Sequence, residues 1–319
     1  MKSFKKIFCL LFAVLFAFSL VACGNSDVKK ITLASGGTSG TYYGFSGAVA
    51  TRLNEVLSTD MKIKVTSTGA SKANAQMIDT NQAQIAIIQN DVMDYAYKGT
   101  DMFANDEPMQ SFSAVASIYP EAIQIIANKS ITSIDQLKGK RVSVGDAGSG
   151  TEFNTKQILE AYGIDIETDI IKNNQSFADS CDSLKNGTLD AAFITAGHPT
   201  VAVTELATNF DFNILPIDNT HARNLISKYG FYTQVTIEKD SYSVLTQDVP
   251  TVAVMATYIA NNDLDEETVY KFTKALFDEK DNIVHQKAQL LDNKKATQGI
   301  SIPIHKGAER YYKELGIIK

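Results

Sequence analysis

Lys30-Ile31-Thr32-Leu33-Ala34, then Ser35-Gly36-Gly37-Thr38-Ser39-Gly40-Thr41, then Tyr42 onward, is the stretch on which the fold turns. The first five residues read as a strand. Phe45, Val49, Leu53 and Val56 then recur at helical spacing, which predicts a helix over 42–57. A loop of glycines and hydroxyls joins the two. The same order returns later, with 141–145 as a strand, 146–150 as a loop and 151–161 as a helix.

Outward from this unit, short β-rich runs alternate with helical patterns. Strands are expected at 62–66, 84–88 and 112–117, and helices at 71–79 and 91–97. A second series holds strands at 122–127, 191–194 and 213–215, a helical turn at 134–137 and a helix at 176–184. The stretch 219–247 is less regular. Helices at 265–277, around 283–290 and at 305–315 close the chain. Such alternation argues for parallel sheets with helical crossovers, an α/β class. Strands before 118 form one sheet, and those from 122 to 215 form another. The apolar runs 122–127 and 251–260 are the natural crossovers between them. The expected organisation is residues 1–22 as an export signal, 23–29 as a tether, 29–119 plus 251–319 as one lobe and 120–250 as an inserted second lobe.

The signal reading rests on Lys2, Lys5 and Lys6 ahead of an apolar run over 7–22 broken only by Ser19. That run falls short of the roughly 20 residues a spanning helix needs, and it ends in small residues. Leu20-Val21-Ala22-Cys23 has the form of a lipobox, with Cys23 as the lipidated residue. An ordinary signal peptide or a short anchor helix is the alternative. Of the three cysteines, Cys9 would leave with the signal and Cys23 would carry lipid. Cys181 alone excludes an intramolecular disulfide and a cysteine-built metal site, and it reads as a small buried residue. The three signal lysines belong to a chain already at −6, so the mature protein is more acidic still. No basic tract remains for a nucleic acid.

Three glycine- and hydroxyl-rich loops stand where strands feed helices: 35–41, 67–71 and 145–151. In open α/β sheets ligands bind beyond the carboxyl ends of the strands. A helix N-terminus there offers free N–H groups and the positive end of its dipole to an anion. Each loop alone reads equally as turn and N-cap chemistry. Neither longer loop carries the lysine of a phosphate-binding Walker loop, nor does 36–40 have dinucleotide spacing. There is no Gly-x-Ser-x-Gly elbow. The four histidines, His198, His221, His285 and His305, show no metal-ligand spacing. No cofactor and no metal are expected, and a secreted serine hydrolase using Ser149 with His198 is the weaker rival.

Taken together, these motifs resemble the TAXI family of solute receptors for TRAP transporters. The segments that carry the resemblance are Gly36-Gly37-Thr38-Ser39-Gly40-Thr41-Tyr42-Tyr43, Thr68-Gly69-Ala70-Ser71 with Asn74, and Ala86-Ile87-Ile88-Gln89-Asn90-Asp91. Ile118-Tyr119-Pro120-Glu121, 137–145 leading into Gly148-Ser149-Gly150-Thr151-Glu152, Gly197-x-Pro199 and Val249-Pro250-Thr251-Val252 follow in order. The resemblance implies a two-lobed fold like that of type II periplasmic binding proteins, with a ligand cleft between the lobes. It implies a monomeric, non-enzymatic receptor that captures a small carboxylate, such as a glutamate-like amino acid or a dicarboxylate, and delivers it to a TRAP membrane subunit. Lipid-anchored, it would sit on the outer face of the bacterial cytoplasmic membrane. Service to a membrane sensor or an ATP-driven transporter is the alternative. Carried onto this chain, the implied ligand contacts are Thr38, Ser39, Thr41, Tyr42, Ser71, Gln89, Tyr119, Ser149, Gly150, Thr151 and Gly197. His198 is a further cleft candidate. The four arginines, Arg52, Arg141, Arg223 and Arg310, are poorly placed to meet a carboxylate, which leaves backbone N–H and hydroxyl donors.

Overall fold

The computed structural model describes residues 28–319, so the export signal, Cys23 and the first tether residues lie outside the described residues. Ten strands form one continuous sheet in the order β2-β1-β3-β10-β4-β7-β5-β6, with β8 beside β4 and β9 beside β10. The strands are β1 (Lys29–Ala34), β2 (Met61–Thr66), β3 (Ile85–Gln89), β4 (Phe112–Asn128) and β5 (Arg141–Ser143). They continue as β6 (Ile171–Asn173), β7 (Ala191–Ala196), β8 (Phe212–Ile214), β9 (Thr233–Ile237) and β10 (Val249–Asn261). β1 pairs in parallel with β2 and β3, and β5 in parallel with β6 and β7, through helical crossovers.

The single sheet departs from the two separate sheets expected from the sequence. The run Tyr119-Pro120-Glu121 reads as a break between two strands, yet β4 is one strand of 17 residues. Strands average about 5–6 residues, so β4 is long enough to serve both halves. β10 runs antiparallel beside it, with Met255 opposite Pro120 and register shifts at Ala256/Thr257 and Tyr258/Ile259. Proline has no N–H to give a ladder. Beside it, Met255 donates its N–H to Asn90 Oδ1 at 2.9 Å.

The helices are α1 (Thr41–Val56), α2 (Ser71–Asp79), α3 (Asn90–Lys98), α4 (Gly150–Ala161) and α5 (Phe177–Lys185). After them come α6 (Val201–Ala207), α7 (Asn219–Tyr229), α8 (Glu266–Asp278) and α9 (Lys306–Glu314). Each half of the sheet is covered on both faces. Phe45, Leu53, Phe272 and Tyr312 pack on one face of the first half, and Ile78, Val92 and Met93 on the other. In the second half Ile158, Leu159 and Leu225 cover one face, and Leu184, Val203 and Leu206 the other. The cores change over between Tyr119 and Ala122 on β4 and between Val254 and Ala256 on β10. The resulting molecule has two α/β lobes joined by two shared strands.

Two stretches are more regular than the sequence suggests. The segment 219–247 contains α7 and β9. Asp218 Oδ1 caps α7 by accepting the N–H groups of Thr220 and His221, and Gly230, with φ 71°, ends it. Only Ala222 and Leu225 are buried on α7, too thin a stripe to register as a period. The segment 283–290 yields only a 3₁₀ turn over Gln286–Leu290. Cys181 is buried on α5, and burial pushes its thiol up to about 12. No helix among the described residues is long and apolar enough to cross a membrane.

Candidate ligand-binding site

The first and third loops converge. Gly36, Gly37, Ser39, Gly40 and Thr41 from one lobe and Ser149 and Thr151 from the other line a single cavity. Gly40 precedes α1 with no side chain capping it, which leaves first-turn N–H groups of α1 free to meet an acceptor. Ala70, which lines the same cavity from the second loop, holds φ 65° and ψ −145°. Such a conformation costs a non-glycine residue about 1–3 kcal/mol and persists only where its surroundings impose it. Here Thr68 and Asn74 impose it. Thr68 Oγ1 donates to Ser35 O at 3.0 Å, and Asn74 Nδ2 bonds both Ser35 O and Ile87 O.

The lobes are bolted together around the cavity. Thr41 Oγ1 donates to Gly197 O at 2.6 Å, and Ala202 N donates to Ser39 O at 3.3 Å. Gln89 Nε2 donates to Asn154 Oδ1 at 2.7 Å, and Asn154 Nδ2 to Asp91 Oδ2 at 2.8 Å. Gln157 Nε2 reaches Tyr95 OH at 3.2 Å, and Lys287 Nζ bonds the carbonyl of His198. Every one of these bonds runs between the two lobes, which are in direct contact around the cavity.

The walls are acidic. Glu121, 2% exposed, faces the cavity and accepts the Tyr42 hydroxyl at 2.6 Å. Burial pushes its carboxyl well above the usual carboxylate range, and the charge of Asp91 adds to that. Asp146, also on the lining, is raised by burial and then by Asp179. No lysine, arginine or histidine lines the cavity among the described residues. Thr195 Oγ1, buried on the same wall, has no protein partner.

Of the residues expected to touch a ligand, Ser39, Thr41, Tyr42, Gln89, Ser149 and Thr151 line the cavity. The rest stand elsewhere for identifiable reasons. Thr38 is exposed on the outside of its loop. Ser71 is buried, its Oγ accepting the Gln89 N–H at 3.2 Å. Tyr119 is fully buried, edge-on to Phe45 at 5.3 Å, with its hydroxyl unpaired. Gly150 admits the Gln89 side chain against α4, since a Cβ there would sit 2.2 Å from Gln89 Oε1. Gly197 is likewise crowded by Lys287, Tyr119 and Thr41, at 2.8, 3.0 and 3.1 Å from where its Cβ would lie. His198 Nε2 faces Glu238 at 3.1 Å, and burial beside Lys287 lowers its pKa. Ser149 Oγ caps α4 by accepting the Glu152 N–H at 3.2 Å.

Sequence reasoning missed Glu121, Asp146, Ser176, Phe177 and Thr195. For Glu121 a signal was present, because it is the only charged residue in the whole of β4. A lone carboxylate inside an apolar strand demands a partner. The α5 residues Ser176 and Phe177 carried no such signal, since Ser176 reads as the N-cap that it is.

With this geometry established, known structures fall into place. A structure of a periplasmic transporter superposes with a TM-score of 0.54 at 14% identity, covering 91% of this chain and 93% of that one. PhnD1 from Prochlorococcus marinus, solved in complex with methylphosphonate, gives 0.53 at 14% identity, covering 91% and 99%. At this identity the likeness speaks to the fold alone, and that fold is the two-lobed one of periplasmic binding proteins. The sequence itself matches the profile of the NMT1-like family over residues 33–316, and the chain belongs to that family.

Proposed function

We propose that the protein is the extracytoplasmic solute-binding receptor of a transporter, with 29–119 plus 251–319 and 120–250 as its two clamping lobes. The observation that carries this reading is the shared cavity. Gly36, Gly37, Ser39, Gly40 and Thr41 of one loop and Ser149 and Thr151 of another, far apart in the chain and on different lobes, line one cavity. In the open form a solute meets one lobe. The other lobe then closes through the Thr41–Gly197 and Gln89–Asn154 bonds and excludes water. Only the difference in solute affinity between the two forms drives closure. A small carboxylate suits the free N–H groups of α1 and the hydroxyls around them. A TRAP-type membrane subunit is the partner that the motif resemblance favours, and Cys23 is the proposed lipid attachment point.

Hydrolysis has less support. The Ser149 hydroxyl is engaged by the N–H of Glu152, and His198 faces Glu238 rather than Ser149.

Thermal unfolding of the purified protein with a panel of amino acids, dicarboxylates, sulfonates and methylphosphonate tests the receptor reading. A ligand at 100 times its dissociation constant adds about 2.7 kcal/mol of stability. A panel without a single responder would remove the function proposed here.

A further inference from the structure

A buried carboxylate turned toward a cavity instead of toward a protein cation is an expensive arrangement. An ionised group taken out of water must be paired or must give up its charge. Glu121 has one protein hydrogen bond, from Tyr42. Its other neighbours make ionisation harder, since Asp91 adds negative charge and the lining offers no basic side chain. Lys287 is not its counter-ion. That ammonium lies 6.0 Å from the centre of the Tyr119 ring and bonds the His198 carbonyl, and the acid whose charge acts on it is Glu238. The fold therefore holds a desolvated acid on the wall of the cavity without a cation of its own.

We infer that the solute carries a protonated amine, and that Glu121, held in place by the Tyr42 hydroxyl, is the group that receives it. This rests on the receptor reading above and narrows it. An ammonium delivered with the ligand ionises Glu121 and completes a buried pair, whereas a second carboxylate would face Glu121 and Asp146 with nothing to neutralise them. The acid end of the same solute has Ser39, Thr151, the unpaired Thr195 hydroxyl and the free N–H groups of α1. The ligand class is thus a zwitterionic amino acid, and a plain dicarboxylate is refused.

Titration calorimetry decides it on the purified protein. The probes are the common L-amino acids, each beside the des-amino acid of the same carbon skeleton, together with 2-oxoglutarate and methylphosphonate. Removing one partner of a buried charge pair costs enough to separate the two forms, so an amino acid should bind at least about 30-fold more tightly than its des-amino counterpart. Glu121→Gln should abolish that preference while leaving the fold intact by circular dichroism. Equal binding of a matched pair, or tight binding of 2-oxoglutarate or methylphosphonate alone, overturns the amine assignment and leaves the receptor standing. An amine preference that survives in a folded Glu121→Gln protein overturns it as well. Silence from every probe takes both readings down together. The wild-type comparison stands without the variant, so a misfolded Glu121→Gln protein does not protect the inference.

Discussion

At Glu121 the protein carries a cost that folding alone does not justify. Its folded pKa lies above the unfolded value of about 4.3, because burial and Asp91 outweigh the bond from Tyr42. A raised carboxyl contributes its full stability below the unfolded pKa and loses it as pH climbs toward the folded one. Removing the ionisable group should therefore stabilise the unliganded protein at neutral pH. Glu121→Gln is expected to match wild type near pH 4 and to gain on it by up to about 1.4 kcal/mol per pH unit between the unfolded and the folded values, levelling off above the latter. Chemical denaturation at several pH values reads this, and a gap that stays flat would contradict it. Gly197 makes the complementary case, a residue whose value lies in what it lacks. A methyl at that position meets Lys287, Tyr119 and Thr41 inside contact distance. Overpacking of this kind costs about 1–3 kcal/mol, so Gly197→Ala should weaken ligand binding roughly 5- to 150-fold. In the proposed open form the contact is absent, so the unliganded melting temperature should barely move. An unchanged affinity would show that the lobes close without using this face.

At the scale of elements, α4 carries contacts from its own lobe to the other. It begins at Ser149, whose hydroxyl caps it, and Glu152 returns the favour by accepting the Gly148 N–H at 2.7 Å. One turn on, Asn154 accepts from Gln89 and donates to Asp91 and Tyr232, all of them buried. Two of these partners belong to β3 and α3 of the opposite lobe. Asn154→Ala should strip Asp91 Oδ2 of its side-chain donor and Gln89 Nε2 of one of its two acceptors in the proposed closed form, at a cost of about 1–3 kcal/mol. Small-angle scattering with saturating ligand is expected to show the variant less compact than wild type. Identical scattering curves would assign closure to the Thr41–Gly197 side alone. The element boundaries themselves were readable where a cap and a stripe coincide. Ser71–Asp79 and the helix from Glu266 to Asp278 show in the sequence almost to the residue, since Asp265 caps the latter and Val269, Phe272 and Leu276 line one side. α7 escaped because its buried stripe is two residues wide, although Asp218 and Gly230 mark both of its ends.

At the scale of the whole molecule, the body is two lobes on two shared strands, and the proposed lipid anchor would tether it to a membrane. Cys23→Ala should move the protein from the membrane fraction to the soluble fraction of fractionated cells. Retention in the membrane would reject the lipid anchor. The sequence by itself determined the α/β class and the three glycine loops, because these follow from local periodicity and turn chemistry within a few residues of each other. It also placed half of the cavity wall, since a loop after a strand must end at the sheet's carboxyl edge. Only the tertiary structure decided that the two halves share one sheet, because β10, far along the chain, pairs with β4 on both sides of Pro120. It alone separated Ser149 the cap from Thr195 the unpaired donor, and showed Glu121 facing empty space without a cation. Whether a hydroxyl or a carboxylate is spent or free depends on what comes to lie opposite it, and that is set by long-range packing, which no window of neighbouring residues contains.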